Sequence, residues 1–146
     1  KVDKKGRVSV PAQFRSVLSS QDYKGIIIYS SFVNECIEAC GMDRIERLSE
    51  SIDSLDPFSE ERDAFAATIL GGSVQLPFDS EGRVMLPEQL LAEVKITDKV
   101  VFVGKGATFE LWKPEAFDSY SQNARDIALS QRASLRLASQ NNKEVV

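Results

Sequence analysis

DKKGRVSVPAQFR, at residues 3–15, and DSEGRVMLPEQLL, at residues 79–91, are two copies of one thirteen-residue pattern. The copies lie 76 positions apart and share six identical residues, among them the Asp, the Gly-Arg pair and the Pro. A long-period repeat of this kind is typical of an architecture built from repeated structural units. We therefore expect the chain to contain two homologous units.

The segments that follow the two motifs also correspond. The apolar run IIIY at 26–29 matches VVFV at 100–103, and IEAC at 37–40 matches FELW at 109–112. The last two are 72 positions apart, so the first unit holds about four additional residues, which we place in the loop at 30–35 because loops absorb insertions at little cost. The sequence thus predicts, in each unit, a strand, a tight turn, a strand, a short helix and two further strands.

Each motif predicts a turn that leads into a strand and then a helix. The carboxylate of Asp3 or Asp79 can accept hydrogen bonds from backbone N–H groups of the turn, which Gly6 or Gly82 completes with a positive φ. Apolar residues then alternate as in a half-buried strand. The Pro near the end of each motif suits the first turn of a helix.

Helical segments follow each unit. After the first, residues 43–55 and 56–70 have helical patterns, with Asp56-Pro57 as the expected cap and first-turn proline of the second helix and Gly71-Gly72 as its end. After the second unit, Pro114 is expected to begin a helix, and a less regular stretch follows at 133–137. We expect a pair of helices, packed as a hairpin, after each unit.

The predicted organisation has four parts. They are a first unit at 1–48, a helical connector at 49–72, a second unit at 73–118, and a C-terminal helical region and tail at 119–146. An alternating strand pattern at 73–78 precedes the second motif. The matching strand of the first unit is expected before Lys1, outside this sequence.

Composition narrows the class of protein. The chain has 146 residues, 42% of them apolar and 27% charged, which is typical of a soluble globular protein. No apolar run approaches the roughly 20 residues of a membrane span, and no segment resembles a signal peptide. Cys36 and Cys40, without any His, cannot complete a four-ligand zinc site, and no glycine-rich phosphate loop is present. We predict no catalytic residue, no metal and no cofactor, and hence no enzyme.

Positive charge is concentrated in the first motif. Residues 1–15 have a net charge of +4, whereas the rest of the chain has −8 and the window 79–91 has −2. The basic residues of the first window are Lys1, Lys4, Lys5, Arg7 and Arg15. Such a cluster can bind DNA phosphates, and Arg can contact guanine O6 and N7. The other interpretation is a turn that serves folding alone, with its Arg paired to its Asp.

The doubled motif, together with VG at 103–104 leading into FELW at 109–112, resembles the MraZ family of bacterial transcription regulators. The resemblance implies an α+β fold, in which two tandem SpoVT-AbrB-type units form a swapped-hairpin β-barrel with appended helical hairpins. It also implies a ring-like homo-oligomer. The implied partner is double-stranded DNA, at short G-rich direct repeats through which the protein represses its own division and cell-wall gene cluster. Its location would be cytoplasmic and nucleoid-associated.

The resemblance assigns roles residue by residue. Arg7 is the expected base contact, Lys5 and Lys4 are expected phosphate contacts, and Arg15 is expected to reach a phosphate or brace the turn. The predicted DNA-binding set is Arg7, Lys5, Lys4, Arg15 and Lys1. The predicted turn-shaping set is Asp3, Gly6, Asp79, Gly82 and Arg83. Asp79 and Arg83 are expected to be mainly structural, because Ser80 and Glu81 stand where the first copy has Lys4 and Lys5. The alternative function is that of an AbrB-fold antitoxin or adaptor that acts through a protein partner.

Overall fold

The two repeat units form an α+β structure with antiparallel sheets, in a computed structural model that describes residues 1–138. Within that range the strands are β1 (Arg7–Ser9), β2 (Gly25–Ser30), β3 (Ile37–Cys40), β4 (Val74–Pro77), β5 (Arg83–Met85), β6 (Val101–Gly104) and β7 (Phe109–Trp112). The helices are α1 (Ala12–Leu18), α2 (Met42–Asp53), α3 (Glu60–Phe65), α4 (Glu88–Glu93) and α5 (Pro114–Ser130).

Strands of the two units pair with each other, so the units do not fold side by side. Strand β1 of the first unit pairs with β5 of the second, and these two strands form a separate antiparallel ribbon, called here the β1/β5 ribbon. The other sheet has the order β4-β2-β3-β7-β6, in which β3 and β7 join the hairpins of the two units. The hydrogen-bonded sheets of residues 1–138 do not close into a barrel.

An approximate two-fold axis relates the units, and the strand register reveals it. Val8 lies opposite Val84 in the ribbon, and Glu38 lies opposite Glu110 in the larger sheet. Each of these pairs consists of equivalent residues of the repeat. Equivalent residues can face each other only where the axis passes between them, so the axis runs through both sheets.

The glutamate pair on the axis has hydrogen-bond partners from neighbouring elements. Glu38 accepts a hydrogen bond from the Tyr29 hydroxyl at 2.9 Å. The buried Glu110 accepts one from the Trp112 indole at 2.8 Å and lies 3.3 Å from the Lys105 ammonium. These contacts offset the cost of placing two carboxylates opposite each other in a sheet.

The main apolar core lies between the ribbon and one face of the larger sheet. Alternation in β1 and β5 turns Val8 and Val84 inward, and both units contribute to the same cluster. Its least exposed members include Ile26, Ile28, Ile37, Leu111 and Val10. The two units therefore share one core, as expected for units too small to bury a core alone.

The first helical appendage is present, but its second helix begins later than predicted. Helix α3 starts at Glu60, and the cap is Ser59, whose hydroxyl accepts the Arg62 N–H at 3.2 Å. The predicted cap at Asp56-Pro57 is wrong, because the Asp56 carboxylate instead accepts the Phe58 N–H at 3.1 Å and closes a separate turn. Beyond α3 the helix widens into a π turn, Ala66–Leu70, before the glycines at which it was expected to end.

The second appendage is a single helix in the described residues. Helix α5 begins at Pro114 as predicted and packs on β7 through Trp112, whose ring centroid lies 4.5 Å from that of Tyr120. The predicted second hairpin is wrong for residues up to 138. Within residues 1–138 only a short 3₁₀ turn, Arg132–Ser134, follows α5, and Leu137 is 99% exposed. The last part of the predicted tail, from 139 onwards, lies outside the described residues.

The shared core predicts that the two units unfold together. Leu111 is fully buried on β7 and packs in the cluster common to both units, so Leu111→Ala should lower the free energy of unfolding by about 2–5 kcal/mol. Urea unfolding of the wild type and the variant should each show one transition. Val17→Ala, at a position 71% exposed on α1, is the control and should change little. Separate transitions for the two units would contradict the shared core.

Candidate nucleic-acid interface

The first turn is held by the carboxylate of Asp3. Its Oδ1 accepts hydrogen bonds from the backbone N–H groups of Lys5 and Arg7, each at 2.9 Å, and its Oδ2 accepts one from Arg7 Nε at 2.7 Å. Gly6 completes the turn with φ of +84°. The backbone N–H of Arg7, followed by the hydrogen bonds from its side chain and from Lys5, lowers the pKa of Asp3.

The second turn repeats this geometry at Asp79. Oδ1 accepts the N–H groups of Glu81 and Arg83 at 2.8 and 2.9 Å, Oδ2 accepts Arg83 Nε at 2.9 Å, and Gly82 has φ of +75°. The same arrangement of N–H donors, that of Arg83 first, lowers the pKa of Asp79. The motif is thus a turn whose Asp organises the backbone and also fixes the direction of the Arg side chain.

The two arginines differ in how far carboxylates neutralise them. Arg83 also places Nη2 at 3.3 Å from the Glu81 carboxylate, whereas Asp3 is the single carboxylate that pairs with Arg7 within residues 1–138. Lys5 stands at the position of Glu81. The hydrogen bond with Asp79 and the charges around it raise the pKa of Arg83. Arg7 therefore presents more uncompensated positive charge than Arg83.

The ribbon register places both arginines on the same exposed face. Val8 and Val84 point into the core, so the residues flanking them point outward. This outer face of the β1/β5 ribbon carries Arg7, Ser9, Arg83 and Met85. Arg7 lies opposite Met85, and Ser9 lies opposite Arg83, which puts the two arginines on a diagonal. Residues 76 positions apart in sequence thus form one surface.

Arg15 lies at the second turn rather than beside Arg7. Its Nε donates to the Val10 carbonyl at 2.9 Å, and its guanidinium covers Gly82 so closely that a Cβ there would lie 2.9 Å from Nε. Arg15 was expected to reach a phosphate or to brace the first turn. In the structure it contacts a turn, but this is the second turn, which belongs to the other unit. This placement follows from the pairing of β1 with β5, at whose end the backbone N–H of Val10 donates to the Gly82 carbonyl at 3.2 Å.

Lys4 and Lys5 are exposed at the first turn, where they line a cleft of about 630 Å³ together with Glu88 of the second unit. Lys1 is also exposed. The acidic Glu88 of the second unit thus lies near the first turn, and the basic Arg15 of the first unit lies at the second turn. The net charges around the two turns therefore differ less in the folded structure than the net charges of the two sequence motifs do.

This arrangement has the chemistry of a surface that binds nucleic acid. A two-stranded β ribbon fits the major groove of B-DNA, exposed ammonium groups can neutralise phosphates, and an outward guanidinium can donate to guanine. Sequence reasoning missed the part played by Met85 in this face. The alternation around Val84 is the signal from which its outward direction could have been predicted.

Other residues with reactive or membrane-related chemistry lie apart from this face. Cys36 and Cys40 are buried, and burial raises the pKa of each thiol to about 12. Among residues 1–138 no three Cys, Asp or Glu side chains are grouped so as to hold a metal ion. The helices found in that same stretch are each too short or too polar to cross a membrane.

The fold and the paired turns define a chain of two homologous β units whose strands pair with each other and which share one charged ribbon. A family model described as "MraZ protein, putative antitoxin-like" matches residues 69–138. A protein named Transcriptional regulator MraZ from Pelagibacter ubique (strain HTCC1062) is 57% identical over 93% of this chain and 88% of its own length. Proteins of the same name from Rickettsia bellii (strain OSU 85-389) and Rickettsia canadensis (strain McKiel) are 54% and 53% identical, over 92% and 94% of this chain and 90% and 92% of their own. The chain belongs to the MraZ family.

The close contact at Gly6 gives a prediction with an internal control. Gly6 and Gly106 have nearly equal φ values, +84° and +83°, but a Cβ on Gly6 would lie 2.9 Å from the Leu86 carbonyl oxygen, whereas one on Gly106 would meet nothing within 4 Å. Gly106→Ala should cost about 1–2 kcal/mol for the left-handed backbone alone. Gly6→Ala should cost at least about 1 kcal/mol more, because the backbone at Leu86, directly after β5, must move. Urea unfolding measures both, and equal losses would contradict the proposed contact between the units.

Proposed function

We propose that this chain is a transcriptional regulator that binds double-stranded DNA through the outer face of the β1/β5 ribbon and the first turn. The observation that carries the proposal is the ribbon register, which places Arg7 and Arg83 on one exposed surface beside the turn that holds Lys4 and Lys5. The name transcriptional regulator borne by relatives at 53–57% identity supports it. No catalytic step forms part of this function.

Arg7 is the proposed base contact. Its Nε is held by Asp3, and its terminal nitrogens have no carboxylate partner within residues 1–138, so they can donate to a guanine edge. Lys5, Lys4 and Lys1 are the proposed phosphate contacts. Arg15 is proposed to contact phosphate from the second turn, where it lies over Gly82. Asp3, Gly6, Asp79 and Gly82 shape the turns, and Arg83 is proposed to be mainly structural, because its charge is shared between two carboxylates.

The remaining parts of the proposal concern assembly and target. One turn with a few cations binds weakly, so we propose a ring-like homo-oligomer in which many copies act on direct-repeat operator DNA. The proposed outcome is repression of the chain's own division and cell-wall gene cluster, on the nucleoid in the cytoplasm. The pairing of β1 with β5 supports a swapped-hairpin architecture. The domain bounds are proposed as the sequence predicts them.

A second candidate function is that of an antitoxin or adaptor with a protein partner. Large apolar side chains are exposed near the first helical appendage, including Phe58 at 94% exposure and the Phe32–Phe65 pair, whose ring centroids lie 5.8 Å apart. The family model's description as antitoxin-like points the same way. This surface is remote in sequence from the ribbon, so mutations of the ribbon separate the two functions.

Paired arginine variants test the proposed DNA contact. Arg7→Ala and Arg83→Ala each remove the same Asp–Arg hydrogen bond, so their effects on the turns are matched. Binding to the duplex that precedes the chain's own gene, followed by fluorescence anisotropy at fixed salt, should weaken at least tenfold for Arg7→Ala and only a few-fold for Arg83→Ala. Equal losses would contradict the asymmetry between the turns. Full binding by Arg7→Ala would overturn the DNA-contact assignment.

Light scattering tests the proposed assembly. The chain has a mass of 16.2 kDa, and a ring should give a discrete multiple of this value both in the free protein and, added to the DNA mass, in the complex. The measurement is made across a range of protein concentrations with and without the operator duplex. A monomer mass under all of these conditions would contradict the homo-oligomer.

A further inference from the structure

We propose that Met85 is a specificity-determining residue, which contacts the C5-methyl group of a thymine next to the base pair that Arg7 contacts. The inference rests on the proposed function, since it assumes that the outer face of the β1/β5 ribbon meets the major groove. It goes further by naming the base chemistry that a second side chain would recognise and the direction in which the ribbon would lie.

The position of Met85 is set by the ribbon register. Its neighbour Val84 is buried in the core, so Met85 points outward, where it is 54% exposed. Met85 lies directly opposite Arg7 in the antiparallel pairing. Side chains at directly opposed positions have Cβ atoms about 4.5–5.5 Å apart, so Met85 and Arg7 extend side by side from the same face. A surface that presents Arg7 to a base edge presents Met85 to the adjacent one.

The chemistry of Met85 differs from that of the other three outward residues. Arg7, Ser9 and Arg83 are polar, whereas Met85 is apolar and contributes nothing to the core cluster. Of the four bases, thymine places a methyl group in the major groove, and protein apolar side chains recognise it by contact. A long, unbranched thioether side chain can reach such a group and adjust to its position. Burial on DNA would also remove an exposed apolar side chain from water.

Met85 also breaks the two-fold symmetry of the ribbon. By the repeat, its equivalent is Ser9, which lies opposite Arg83. One end of the outer face thus carries an Arg–Met pair and the other an Arg–Ser pair. A symmetric ribbon would suit a palindrome, because it has no direction. Because its two ends differ, the ribbon can bind DNA in one orientation. Head-to-tail DNA repeats require each bound copy to take the same orientation.

Uracil, which is thymine without the methyl group, provides the test. In the duplex that precedes the chain's own gene, each thymine is replaced singly by uracil, and binding is followed by fluorescence anisotropy. At one position in each bound repeat, uracil should weaken wild-type binding about fourfold, the change expected when one methyl group is no longer buried. Met85→Ala should bind the thymine duplex about fourfold more weakly and should bind the uracil duplex with the same affinity.

Two further variants keep the test independent of folding. Met85→Leu retains an apolar side chain and should still distinguish thymine from uracil. Val17→Ala removes an exposed apolar side chain from α1 and should behave like the wild type. If uracil has no effect at any position, or if its effect persists in Met85→Ala, the proposed role of Met85 is overturned while the DNA-binding function stands. If the wild type does not bind the duplex at all, the proposed function fails and this inference fails with it.

Discussion

The pairing of β1 with β5 is the constraint on which the rest of the structure depends. Each strand has three residues, and neither has a hydrogen-bonded partner strand in its own unit within residues 1–138. At the ends of the ribbon, the Leu86 N–H donates to the Gly6 carbonyl at 2.9 Å, and the Val10 N–H donates to the Gly82 carbonyl. Backbone groups left unpaired over a core would cost free energy, so each of these strands depends on pairing with the strand of the other unit.

The same pairing decides which charges meet. Because each unit's chain continues from the ribbon past the opposite turn, Arg15 covers Gly82 and Glu88 lies in the cleft with Lys4. The turns themselves remain nearly identical in geometry, since an Asp, a Gly and an Arg are enough to build them. The two ends of the ribbon share the backbone geometry of their turns and differ in the surrounding side chains. The proposed DNA contact depends on this difference in side chains.

Features that depend on local spacing could be predicted from the sequence, and those that depend on partner choice could not. The repeat predicted the turns, and Pro114 predicted the start of α5, because each signal lies within a few residues of its effect. The cap at Asp56-Pro57 was wrong because a second candidate, Ser59, lay three residues away and local patterns do not rank the two. The placement of Arg15 could not be predicted, since it follows from a strand register between distant segments. The outward direction of Met85 could have been predicted from alternation alone.

The axis between Val8 and Val84 has a consequence for how such a surface can change. If two identical chains met on this axis, every substitution would occur at both ends of the ribbon. A change that is favourable at one end would then also be present at the other end, where it could be unfavourable. With both units in one chain, a codon change alters one end alone. Met85 and Ser9, at equivalent positions, can therefore differ in chemistry. Covalent linkage of the units thus allows single mutations to make the two ends of the ribbon different while its backbone keeps two-fold geometry.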